Sequence, residues 1–431
     1  MNRFQLGCLI GMLTCSSVLA RVSESEATAL GTTLTVMGAG PEDATSGIPA
    51  WQAKSTVPED EQPLFIITHA NHKQYAQHLS AGQVALFNAY PDSFQMPIYP
   101  THRTFTAPQQ VYENTRYNAT NTRLNDEQTG FINTQAGIPF PIPQSALEVY
   151  FNHLARWRGF QLHSYASDAN VDDEGQWQLV SRESLIRYDF YLPGNNNRLF
   201  SALSRITAPA QRSGSGGLVL EPIDQLAEPR SAWLYDKGRR RVIRAPNVAY
   251  DQPVNSADGL RTADDTDMIN GSPDRFDWQL LPGRLMYIPY NNDRLADENL
   301  KYEDMLQPGH INPQHTRYEL HRVWVIRATL KEPWRHLYSR RDFYLDEDSW
   351  SVVIADQYDK QDQLFRVSLS YLRHDPGMPG TFPVLNVYHD LPSGMYHVMG
   401  LENEAPKASE YQTEPATDGM FTPNGLKRFV R

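Results

Sequence analysis

The stretch YLDEDSW, Tyr344–Trp350, sets three acids in a row between aromatic residues. Carboxylates this close can hold a divalent cation, protonate a leaving group or stabilise a turn in water. Phe343 and Leu345 share one strand parity before the acids, and Trp350, Val352 and Ile354 share one parity after them. Asp346, Glu347 and Asp348 therefore fall where the chain reverses between two strands. A solvated hairpin tip is the expectation, with metal binding and acid catalysis as the competing readings.

The histidines form three groups. His69, His72 and His78 could offer an i, i+3 pair to zinc, but no acid follows at metalloprotease spacing. His310, His315 and His321 are five and six residues apart, a spacing that matches no metal motif. His102 in PTHR stands beside Arg103 and could meet an anion. Ordinary hydrogen-bonded histidine is the favoured reading for all three groups. In TADDTDMINGSPDRFDW, the acids Asp264, Asp265, Asp267, Asp274 and Asp277 lack the glycine and terminal glutamate of an EF-hand, and a solvated loop is expected. RSGSGGL has Val219 where GxGxxG needs its last glycine, and no GxSxG occurs. No catalytic set, cofactor motif or metal site emerges.

The elements that would position these residues change period along the chain. Residues 21–63 read as an extended arm. Asn71 with Gln74, and Ser80 with Gln83, suggest two capped short helices, and a third is expected from Pro143 to Trp157. From about Phe160 the period becomes two. RVWVIRATL, QLFRVSLSY, SLIRYDFYL, RLMYIPY and PVLNVYHDL alternate and are separated by Pro, Gly and Asn turns, which indicates a large antiparallel sheet. Several strands carry bulky apolar groups on both parities, so helices, loops or a ligand must cover the second face.

Composition narrows the function classes. The chain has 431 residues, 40% of them hydrophobic, with a formal net charge of −11. That balance argues against nucleic acid and against an anionic membrane as the main partner. MNRFQLGCLIGMLTCSSVLA reads as a Sec-type secretory signal peptide cleaved after Ala20. Its removal takes away Arg3 and both cysteines, Cys8 and Cys15, so neither disulfides nor thiol chemistry are expected in the mature chain. No later apolar run approaches the ~20 residues of a spanning helix.

The segments GIPAW, MPIYPTHR, GIPFPIP, WLYDKGRRRVIRAP, YDQPVNSADGLRTADDTDMINGSPDRFDW, MYIPYN, RYELHRVWVIRATLKE, RRDFYLDEDSW and DLPSGMYHVMGLENE together resemble a family of exported Gram-negative proteins of unestablished function. That family is described as similar to the periplasmic lipoprotein carrier and the outer-membrane lipoprotein receptor. The resemblance implies an α+β fold: an open half β-barrel covered by helices and long loops. The residue patterns divide the chain into a signal peptide (1–20), the arm (21–63), a helical and irregular covering region (64–158), the half-barrel (159–402) and a C-terminal tail (403–431). The resemblance agrees with this order. It also implies a periplasmic, non-covalent carrier for a lipid or other hydrophobic molecule, working with an inner-membrane exporter and an outer-membrane barrel protein.

The candidate cavity is a concave sheet face lined by Trp233, Tyr235, Trp278, Tyr287, Trp324, Phe343 and Trp350. Ile138, Phe140 and Ile142 of GIPFPIP, with the early helices, are its candidate cover. A non-carrier scaffold for an envelope exporter is the alternative, followed by an exported metal-dependent hydrolase built around His310, His315 and Asp267.

Overall fold

The alternating stretches become the strands of one sixteen-stranded sheet. A computed structural model describes residues 22–195, 197–245, 250–375 and 378–431, and the signal-peptide reading of residues 1–20 lies outside these. RVWVIRATL lies in the strand Tyr318–Leu330, QLFRVSLSY in Leu364–His374 and PVLNVYHDL in Thr381–Asp390. SLIRYDFYL behaves differently. Its strand stops at Arg187, and Asp189–Tyr191 form a 3-10 turn in which Asp189 accepts hydrogen bonds from Arg187 and Ser201.

Two antiparallel meanders make up most of the sheet. One runs through Tyr318–Leu330, Arg340–Asp346, Val352–Tyr358, Leu364–His374, Thr381–Asp390 and Tyr396–Leu401. The other runs through Gln161–Val171, Trp177–Arg187, Arg198–Ala208, Gly216–Pro222, Ser231–Asp236 and Arg241–Arg244. They meet where Tyr396–Leu401 pairs with Gln161–Val171. The sheet remains open, with Arg241–Arg244 at one end and Phe65–Ile67 at the other. The architecture is the α+β open half-barrel expected from the sequence.

Register explains why both parities are apolar. Trp324 lies opposite Leu345 and Ile326 opposite Phe343, all toward one face; Val323 and Val325 turn to the other. The first face is packed by the arm, by Phe105 and by the helices Gln109–Asn121 and Ala146–Ala155. The second is packed by the 3-10 helix His72–His78, the helix Ala81–Ala89 and residues such as Met286, Tyr302 and Met305. Each fully buried Leu, Ile or Phe contributes ~1.5–3 kcal/mol of transfer free energy, so the covers are held by ordinary core packing. A third, smaller cluster lies under the C-terminal helix Pro423–Phe429.

Local signals are met unevenly. Ser80 and Gln83 form the expected capping box of Ala81–Ala89, and Ser145 caps Ala146–Ala155. Asn71 caps nothing; its Oδ1 accepts from the Thr68 amide instead, and a 3-10 helix follows. The helix Gln109–Asn121 is an addition. Its inner face is Val111, Asn114, Thr115, Asn118 and Ala119, too polar to show a hydrophobic period. Among the described residues, no helix is long and apolar enough to cross a membrane.

Candidate functional site

The seven aromatic candidates do not share one cavity. Trp278 stacks on Phe343 with ring centroids 6.4 Å apart, and Trp324 stacks on Trp350 at 5.8 Å, all within the arm-side core. Tyr287 lies beyond a bulge between Leu281 and Arg284 and packs edge-on against Phe65, Tyr75 and His78 in the opposite core. Trp233 and Tyr235 pack against the small cluster under the C-terminal helix. The sequence reading of one concave aromatic face is corrected by the bulge and by the covers on both sides.

GIPFPIP belongs to the same core. Ile138 is fully buried, Phe140 meets Phe131 edge-on, and the Asn152 side-chain amide bonds both the N–H and the carbonyl of Phe140. Ile142 is only half-buried, in a shallow depression with Val22 and Glu148.

The acid cluster does sit at a strand reversal, but it is not in water. Asp346, Glu347 and Asp348 are 0%, 9% and 2% exposed. Asp346 shapes the turn by accepting from the Ser349 amide and hydroxyl. Arg103 donates two hydrogen bonds to Asp348, at 2.9 and 2.7 Å, and Arg322 donates to Glu347 at 2.7 Å. Nδ1 of His321 lies 3.2 Å from Asp346 and Nε2 lies 3.3 Å from Glu319. Arg317 joins Glu319 to Glu61, and Glu61 meets His102.

Burial alone would lower the His321 pKa. The bonds to Asp346 and Glu319 outweigh it and push His321 up to about 9. Burial and the neighbouring Asp348 push Glu347 up to about 7. His321, Asp346 and Asp348 are close enough together to surround a metal ion. Yet both nitrogens of His321 already face carboxylates and both oxygens of Asp348 face Arg103. A protonated imidazole is no metal ligand. The donor set fits an internal ion-pair network.

The loop expected to be solvated is likewise built in. Asp264 pairs with His336 and Arg341, each at 3.0 Å, and Asp265 accepts from the Tyr338 hydroxyl at 2.7 Å. Asp267 meets Arg156 at 2.5 Å and Arg158 at 2.7 Å. Burial opposes the charge on Asp264 and Asp267, but Arg341 beside the first and Arg156 and Arg158 beside the second hold both carboxyls far below the usual range. Of the five acids, only Asp277 is exposed, and Asp274 accepts from Tyr250.

These placements also separate the hydrolase candidates. His310 bonds Ser93 in the helix-side core, burial lowering its pKa, whereas Asp267 is held by arginines in the arm-side core. His69, His72 and His78 each bond a backbone carbonyl.

The sequence reading missed a roomy cleft. It has a volume of about 750 Å³ and lies between the segment 131–136, the corner 190–197 and the segment 223–227. Buried Phe131 and Phe190, with Ile132, Leu192 and Ile223, supply apolar surface. Asn133, Thr134, Gln135 and Asn195 add neutral polar groups, and among the described residues Asp224 is the only charged one in the lining.

The walls are set by asparagines. Asn114 and Asn118 on the helix Gln109–Asn121 bond the backbone of residues 135–138. Asn125 donates to Asp224 at 2.7 Å, the Asn197 side-chain oxygen accepts from the Asp224 amide, and the Asn197 carbonyl accepts from the Ile223 amide. Asn133 and Asn197 have φ of 60° and 53°, a left-handed geometry that asparagine tolerates well. The only sequence signal was this run of amides, which composition alone assigns to turns. A second, smaller pocket of about 250 Å³ lies between the arm and the same helix, lined by Trp51, Tyr112, Phe105 and Asp348 among others.

The chain is 41% identical over 444 residues to the uncharacterized protein PA3922 of Pseudomonas aeruginosa, covering 98% of this chain and 97% of that one. A crystal structure of a DUF1329 family protein from Desulfovibrio piger is similar at 15% identity and a TM-score of 0.43, covering 64% of this chain and 95% of that one. A putative outer membrane lipoprotein-sorting protein domain from Vibrio parahaemolyticus is similar at 13% identity and a TM-score of 0.44, over 66% and 98% of the two chains. A LolA superfamily protein from Nitrosomonas europaea gives 14% identity and 0.38, over 66% and 100%. Residues 66–427 match the family described as protein of unknown function DUF1329, and with the long relative above, this chain belongs to that family.

Proposed function

We propose that this protein is a non-enzymatic periplasmic binding protein that carries an amphiphile with an apolar body and a neutral polar head. The observation that carries the reading is the 750 Å³ cleft. Its size falls within the ~300–1,000 Å³ of small-molecule sites, and its lining divides between apolar side chains (Phe131, Ile132, Phe190, Leu192, Ile223) and neutral polar ones (Asn133, Thr134, Gln135, Asn195). The one charged lining residue is already occupied: Asp224 accepts from Asn125 and from the amides of Leu226 and Ala227. A formal charge on the ligand would find no free partner there, which favours a neutral head.

Hydrophobic burial supplies the affinity and no covalent step is needed. At about 25 cal/mol per Å² of apolar area, a ligand burying ~200 Å² gains ~5 kcal/mol before the cost of ordering it. Export rests on the signal-peptide reading. Work alongside an inner-membrane exporter and an outer-membrane barrel protein rests on the resemblance of the chain's long motifs.

Two measurements test the proposal. Native mass spectrometry of protein isolated from its own periplasm should show a bound neutral lipid or similar amphiphile. A neutral fluorescent hydrophobe, N-phenyl-1-naphthylamine, should bind the purified protein, and Ile132→Asp with Leu192→Asp should weaken that binding at least about tenfold, because the bound probe would cover a carboxylate where it had met apolar surface. A protein with no bound lipid and no affinity for the probe would refute the carrier reading. Co-purification with a transporter would then point to the scaffold alternative.

A further inference from the structure

The hairpin at the open end of the sheet stands apart from the rest of this acidic molecule. Between Lys237 and Arg244 five of eight residues are cationic: Lys237, Arg239, Arg240, Arg241 and Arg244, in a chain whose formal net charge is −11. Arg239 lies 3.7 Å from Asp236. Among the described residues, no ion pair involves Lys237, Arg240, Arg241 or Arg244, which contrasts with the paired Arg103 and Arg341 of the arm-side core.

The hairpin is also the last in the sheet. Arg241–Arg244 pairs with Ser231–Asp236 on one side, and among the described residues no strand pairs with its other side. On one face Trp233, Tyr235 and Val242 pack under the C-terminal helix. On the other, Leu234 sits opposite Ile243, and Leu234 is 49% exposed.

Charged edge residues can simply discourage strand-to-strand aggregation. That role needs one or two cations along the edge. Here three more lie in the turn, off the edge, and an apolar pair lies beside them. Cations grouped around an exposed aliphatic residue are the chemistry of an interfacial contact, in which the apolar group enters the acyl boundary and the cations meet phosphates.

We infer that the hairpin Ser231–Arg244 is a contact surface for anionic phospholipid membranes. An acidic peptide added to the free edge would reach Arg241 and Arg244 but not the turn cations. A planar anionic surface approached end-on meets the turn cations and Leu234 together. The net acidity of the chain, −11 overall, argues against membrane contact only when averaged over the surface, and the hairpin departs from that average.

The test is flotation of the full mature chain with vesicles of phosphatidylglycerol and phosphatidylethanolamine, against vesicles of phosphatidylcholine alone. The protein should float with the anionic vesicles at 50 mM salt and be released by 0.5 M salt, where screening shortens the reach of the charges. A variant with Arg239→Gln, Arg240→Gln, Arg241→Gln and Arg244→Gln should lose at least about a hundredfold in partitioning, given the usual contribution of each basic residue at such a surface. Leu234→Ser should lose less.

A control removing four exposed lysines elsewhere (Lys54, Lys73, Lys301 and Lys360, each to Gln) should partition as the wild type does. If the quadruple arginine variant fails to fold, Lys237→Gln with Arg240→Gln in the turn provides the same comparison. Equal partitioning of wild type and variant, equal binding to neutral vesicles, or binding only to an acidic protein without vesicle association would each overturn the inference.

Discussion

His321 makes stability depend on pH in a direction opposite to that of a paired carboxylate. Its ring is 2% exposed and lies between Asp346 and Glu319, with Tyr290 against its face at 4.2 Å. The folded pKa is raised from 6.5 to about 9. Between these values the folded chain keeps a proton that the unfolded chain has released. The stabilisation is therefore complete below about 6.5 and is lost as pH rises through 9. One proton of difference corresponds to ~1.4 kcal/mol per pH unit, so the wild type should lose about 2 kcal/mol between pH 7.5 and 9.

The assay is urea unfolding followed by tryptophan fluorescence at half-unit steps, with His321→Gln as reference. That window lies above Glu347 and Asp356, each raised to about 7 chiefly by burial. Buried tyrosines titrate alike in both proteins, so the difference between the two curves isolates His321. The variant begins less stable, because Asp346 and Glu319 lose their partner, and the gap should close as pH rises. Parallel curves from pH 7.5 to 9 would refute the protonated-histidine reading of this network.

Other perturbations separate structure from binding. Arg103→Met leaves Asp348 buried without its bidentate partner and should cost about 3–5 kcal/mol in urea unfolding. Trp324→Ala removes the stack on Trp350 and should cost about 3–5 kcal/mol while leaving probe affinity of the cleft unchanged; a lost affinity would return the site to the aromatic core. Gly82→Ala would place a methyl 2.3 Å from the Asp356 carboxylate and 2.6 Å from Val367, so it should destabilise by about 1–3 kcal/mol despite alanine's better helix propensity, as measured by thermal unfolding.

The legible part of this fold was the part written in local patterns. Alternation gave the strands around Trp324 and Phe365, and Ser80 with Gln83 gave a helix start, because both signals act within a few residues. The turn at Asp346 to Ser349 was legible for the same reason. Its burial was not. An acidic turn left in water and one in which Asp348 meets an arginine 245 residues away have the same local sequence. The loop Thr262 to Asp267 was misread as solvated for that reason, since His336 and Arg341 are far along the chain. The cleft was hidden twice over: its helix is polar on its inner face, and its walls are asparagines that composition assigns to turns.

The buried networks also bear on where a ligand can enter. The aromatic core around Trp324 and Trp350 is closed by the arm, and the arm is tied to the acid cluster. The Trp350 indole N–H donates to the Met37 carbonyl, the Gly40 amide donates to Glu347, Arg322 donates to the Pro41 carbonyl, and Arg103 and Arg317 bind Pro49 and Glu61. Opening this cover would break the Arg317–Glu61 pair, at ~3–5 kcal/mol, and the hydrogen bonds that Glu347, Arg322 and Arg103 make to the arm backbone, at ~1.5–3 kcal/mol each. Differential binding of ~5.5 kcal/mol is what inverts a two-state population from 1:99, and the pair together with any two of these bonds exceeds it. The same residues that looked like a reactive cluster therefore act as a clamp on the core. Under the carrier proposal, exchange would take place where a space already exists, in the cleft walled by Asn114, Asn125 and Asn197.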